Sequence, residues 1–163
     1  MKTKTTITEI THEDLVNLFS TALYGSTYLS ADYTIEDRKS VDVSDDDCYE
    51  DIIAKILLAG KSIEVTDDYA EGCSYGLLPY RFQDKDDDGS SVIYRVTLDD
   101  IKRGLEKAAD GTFKGDDDKY RANELAFARK AYDAFVNYDD CGFDLVYADA
   151  LMQIILFDEI IYG

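Results

Sequence analysis

Apolar residues recur along the chain at two spacings, and each spacing predicts a kind of element. Leu15, Val16, Leu18, Phe19, Ala22 and Leu23 share a helical face, and Thr11 with Asp14 three residues on is an N-terminal cap signature. Gly25 ends this first helix. The stretch 26–43 is polar with scattered Tyr28, Leu29, Tyr33 and Ile35, and it reads as loop or irregular extended chain. Ser44 caps a second helix with the stripe Cys48, Ile52, Ile53, Ile56 and Leu57, stopped by Gly60. Ile63 and Val65 alternate with polar neighbours as a strand. Tyr80 to Phe82 and Val92 to Val96 flank an acidic turn at Asp88 and Gly89, which predicts a β-hairpin.

Thr97 with Asp100 opens a third helix through Ile101, Leu105 and Ala108, closed by Gly111. A fourth is expected from about Asp117 to Asn137, with Leu125, Phe127, Ala128, Tyr132 and Phe135. The last, about Phe143 to Phe157, is apolar on most faces and belongs at the centre of the core. Residues Glu159 to Tyr162 add a terminal strand. This order predicts an α+β fold: a single compact domain over residues 1–163, with about five helices and a small antiparallel sheet.

Charge changes the picture most. The chain carries 35 acidic residues against 17 basic ones, a formal net charge of -18, where a small domain needs a magnitude of about 2 to 8 for solubility. The surplus costs stability by self-repulsion and asks for a reason; it narrows the classes of partner without naming one. With 45% hydrophobic residues and 12% aromatic ones, the chain is too apolar for a disordered acidic tail. Asp outnumbers Glu, 26 to 9, which favours acid held close to the backbone at caps and turns.

The acid is clustered. Asp45, Asp46 and Asp47 are expected in the first turn of the second helix, and Asp116, Asp117 and Asp118 at the start of the fourth. One acid at a helix start serves as a cap; three in a row exceed that need. Asp84, Asp86, Asp87 and Asp88 crowd the hairpin turn, where alternate residues of an extended chain stand about 6.6 to 6.8 Å apart, a ladder comparable with phosphates along a nucleic-acid strand. Asp84, Asp86, Asp88 and Gly89 also match the opening D-x-D-x-D-G of a calcium loop, but the twelfth position, which needs a bidentate Glu, is Arg95. Weak calcium binding there is an alternative reading; no metal ligand set or cofactor is assigned.

Catalytic signatures are missing from the sequence. The one His, His12, reads as a solvated residue at the helix start. No nucleophile motif, Gly-rich phosphate loop or zinc spacing occurs, so the expectation is a protein that is not an enzyme. Cys48, Cys73 and Cys141 have no CxxC spacing and read as reduced thiols. Without an apolar run of signal or membrane-span length, a cytoplasmic protein with no membrane contact is expected. Tyr28, Tyr33, Tyr69, Tyr75 and Tyr80 lie in loop or strand-edge segments, where such rings either half-bury or anchor interfaces; Tyr80 is taken as a partner contact.

The clusters DDD at Asp45, DKDDD at Asp84 and DDD at Asp116, on a compact Tyr-rich domain, resemble in character the small acidic proteins of phages and mobile elements that act as anti-CRISPR or anti-restriction inhibitors. The segments GLEKAADGTF and ADALMQIILFDEIIYG are similar to those of prophage proteins. The resemblance lies in composition, and no functional residue is carried over from it. It implies a partner: a basic nucleic-acid-binding protein, such as a nuclease, whose DNA or RNA channel the acidic clusters block as a nucleic-acid mimic, without direct nucleic-acid binding. The alternative is a generic interaction domain whose acidity serves solubility.

Overall fold

The computed structural model describes residues 4–70, 76–85, 89–115, 120–138 and 142–162, with the side chains of 83–85, 89 and 90 left aside. Its helices are α1 (His12–Leu23), α2 (Ile35–Lys39), α3 (Tyr49–Leu58), α4 (Leu98–Asp110), α5 (Arg121–Val136) and α6 (Leu145–Phe157). The strands are β1 (Leu29–Asp32), β2 (Ile63–Asp67), β3 (Pro79–Lys85) and β4 (Gly89–Val96). They form one antiparallel sheet in the order β1-β2-β4-β3. The α+β expectation, with a small antiparallel sheet and a helix count near five, holds.

Caps place the helices. Thr11 and Asp14 exchange hydrogen bonds at 3.1 and 2.9 Å to open α1, and Thr97 with Asp100 does the same for α4 at 3.3 and 2.9 Å. Gly111 closes α4 at φ 69°, a conformation glycine adopts without a Cβ clash. The inner face of the sheet, with Ile63, Val65, Tyr94 and Val96, is buried under the helices, and Tyr94 meets Phe157 of α6 edge to face at 5.8 Å. Helix α6 packs against α1, α4 and α5 and is buried from Ala150 to Phe157, the central position its composition predicts.

Four boundaries differ from the sequence reading. The stretch 26–43 contains β1 and α2. Ser44 does not cap α3; Cys48 does, because the Asp51 carboxylate reaches back to the Cys48 N–H at 3.0 Å. Asp45, Asp46 and Asp47 therefore lie in a turn ahead of the helix, not in its first turn. Residues 159–162 form no strand; the amides of Ile161 and Tyr162 donate to the Gln153 side-chain oxygen at 2.7 and 2.8 Å instead.

Candidate functional site

The register gathers acid at one end of the sheet. Asp32, the last residue of β1, lies opposite Glu64, which lies opposite Arg95, and strand alternation turns all three away from the buried face. β3 begins at this same end with Pro79 and Tyr80. α2 follows β1 directly because Thr34 caps it, accepting from the Asp37 N–H at 3.0 Å and donating to the Asp37 carboxylate at 2.9 Å. A cleft of about 250 Å³ separates Glu36 and Asp37 of α2 from Glu64 and Arg95 of the sheet.

The turn before α3 is fastened to the same end. Lys55 donates to the Asp42 carbonyl at 2.8 Å and to Asp47 Oδ2 at 2.5 Å, and the Ser44 N–H donates to that same oxygen at 2.9 Å. Lys55 first, then Ser44, holds the Asp47 carboxyl below its usual range. The Tyr49 hydroxyl reaches the Ala31 carbonyl at 2.6 Å and Asp32 Oδ1 at 2.9 Å, and its ring stacks on Tyr33 at 5.0 Å. His12 is more than a solvated residue: its Nε2 meets Asp51 Oδ1 at 2.8 Å and ties the starts of α1 and α3 together. With His12 as the main cause, joined by the thiol and amide of Cys48, the Asp51 carboxyl is pushed down to about 2.

Between residues 32 and 51 the chain places nine acids, Asp32, Glu36, Asp37, Asp42, Asp45, Asp46, Asp47, Glu50 and Asp51, against Arg38 and Lys39. Asp37 and Asp47 have ion pairs, with Lys61 and Lys55, and Asp51 is hydrogen-bonded to His12. Glu36, Asp42, Asp45 and Asp46 are exposed and have no ion pair among the described residues. Helix α2 and the segment between it and α3 thus display these four carboxylates without ion pairs.

Of the residues singled out from sequence, Tyr33, Asp45, Asp46, Asp47 and Tyr80 come to this end of the molecule. Tyr80 is half-buried, its hydroxyl donating to Glu64 and its ring lying under Arg95 at 4.6 Å and Arg81 at 5.5 Å; it is a platform for two guanidinium groups. Asp84 stands at the far end of β3, in register with Ser90, so it does not join the acidic turn. Asp86, Asp87, Asp88, Asp116, Asp117 and Asp118, and with them most of the calcium-loop match, lie outside the described residues, as do Tyr75, Cys73 and Cys141. The Cys48 thiol is free and exposed. Among the described residues no three His, Cys, Asp or Glu side chains are placed to hold a metal, and no helix is long and apolar enough to cross a membrane.

Sequence reasoning missed Asp32, Glu36, Asp37, Asp42 and Glu64. The Thr34-x-x-Asp37 cap was the available signal. Tyr28 and Tyr69 stack at 5.2 Å with Tyr28 buried, a packing role. Comparison of the chain with protein-family models, with characterised proteins and with solved structures finds no match.

Proposed function

We propose that this chain is a non-catalytic acidic protein that binds a basic nucleic-acid-binding protein, such as a CRISPR or restriction nuclease, and blocks its DNA or RNA channel as a nucleic-acid mimic. The observation that carries the reading is the set of four exposed carboxylates, Glu36, Asp42, Asp45 and Asp46, with no ion pair among the described residues. Unneutralised like charges repel in the free protein, and a channel lined with Lys and Arg relieves that repulsion. Such a channel normally neutralises phosphates, so fixed carboxylates compete for the same cations.

The scaffold adds to the argument. Lys55, Tyr49 and Thr34 hold the acidic segment in place before any partner arrives, which lowers the ordering cost of binding. Asp84 lies at the other end of β3, so the acidic turn near Asp45 is assigned the main contact. The same net charge repels nucleic acid itself.

Tagged protein is used to capture partners from nuclease-treated bacterial extract, beside a variant with Glu36→Gln, Asp42→Asn, Asp45→Asn and Asp46→Asn. Nucleic-acid enzymes held by the wild type, eluted by salt, displaced by added DNA or RNA and lost from the variant support the reading. Partners indifferent to salt and retained by the variant overturn it and make the acid a solvated surface.

A further inference from the structure

Helix α6 enters the core with apolar side chains still uncovered. Leu145 and Val146 are 39% and 62% exposed, and between them and the loop Gly25, Ser26 and Thr27 lies a cleft of about 270 Å³. Tyr28 and Asp149 also line it. This cleft sits by the start of β1, at the opposite end of that strand from Asp32 and the acidic turn.

Asp149 is held on both oxygens. The Tyr28 hydroxyl donates to Oδ1 at 2.5 Å and Gln153 Nε2 to Oδ2 at 2.7 Å. Gln153 is 1% exposed and is itself immobilised by the backbone of Ile161 and Tyr162. Burial, followed by the Asp149 hydrogen bond, pushes the Tyr28 phenol up, so it stays a neutral donor. Tyr28 and Gln153 are both neutral, and no cation pairs with Asp149 among the described residues. Two donors leave about two of its four lone-pair positions open. A part-buried carboxylate held only by neutral groups is costly, and an open cleft beside it gives a cation access.

The lining of the cleft selects the occupant. Apolar walls suit a methylene stem, and a fixed carboxylate with two open lone pairs suits a planar fork of N–H donors better than a compact ammonium. We propose that the cleft receives one arginine side chain of a basic protein partner, its methylenes against Leu145 and Val146 and its guanidinium on Asp149. The assignment rests on the reading of the partner as basic, through a surface separate from the acidic turn.

The test needs no partner. n-Butylguanidinium is titrated into the protein while the amide NMR signals of Gly25, Ser26, Thr27, Leu145 and Val146 are followed, with n-butanol as the uncharged control. Saturable shifts with the guanidinium and none with the alcohol are expected, weakened about tenfold or more in Asp149→Asn, which loses the charge. Val146→Lys, at an exposed position outside the Tyr28–Asp149–Gln153 network, should block the cleft with its own tethered ammonium and serves where Asp149→Asn does not fold. No saturable shift, or an equal response from a folded variant, overturns the proposal. The acidic-turn variant should respond as the wild type does, so failure of the cleft and failure of the channel reading give different results.

Discussion

Replacing Gly104 with alanine should destabilise the protein although it improves the helix that carries it. A Cβ at this position would stand 2.4 Å from Ile155 Cγ1 and 2.6 Å from Ile155 Cα. A rotamer change of Ile155 relieves the first contact, but the second is to the backbone of α6 and yields only if α4 and α6 separate. Leu105, Ala108, Leu151 and Ile154 around this contact are buried, so the displacement spreads into the core. Alanine gains about 1 kcal/mol over glycine in a helix interior, whereas overpacking costs typically about 1–3 kcal/mol and more when backbone must move. The expected net loss is about 1–2 kcal/mol, which lowers Tm by about 2–8 °C for a chain of this size. Urea and thermal unfolding followed by far-ultraviolet circular dichroism read this directly. A Tm equal to or above wild type would refute the close packing of α4 on α6.

Three further outcomes follow from single features. Asp51 has a carboxyl pushed down to about 2 from an ordinary value of 3.8, so its contribution is complete above about pH 4 and is lost as pH falls toward 2; Asp51→Asn should cost about 1 kcal/mol or less at pH 7 and flatten stability between pH 4 and 2 in acid titrations. Tyr162→Phe removes the hydroxyl that donates to the fully buried Asp67 at 2.8 Å, and should cost about 1–3 kcal/mol in urea unfolding. The fourfold acidic-turn variant should melt no lower than wild type, and higher at low salt, because it removes repulsion and no ion pair; a lower Tm would mean those carboxylates serve the fold.

The legible parts of the fold are those whose cause is local. Thr11 with Asp14 and Thr97 with Asp100 satisfy helix-end amides within four residues, so the rule can be applied without knowing the neighbours. β1 escaped because LSAD has little pattern of its own and is a strand only by pairing with β2. α2 is five residues long with Ile35 exposed, so no apolar stripe marks it. The acidic runs at Asp45 and Asp84 were visible as charge, yet only register showed that Asp84 stands at the other end of the sheet and that Asp32 and Glu64 adjoin the first run. Asp149 and Gln153, four apart in an otherwise apolar helix, were readable as a polar pair; their partner Tyr28, distant in sequence, was not.

The central claim is tested most directly by the salt dependence of binding to a purified captured partner, with the acidic-turn variant alongside. Affinity should fall linearly on logarithmic axes as salt rises, the variant should bind more weakly with a shallower slope, and labelled nucleic acid should be displaced from the partner by the wild type. A flat salt response shared by both proteins, with nucleic acid and this chain bound together, would contradict the account.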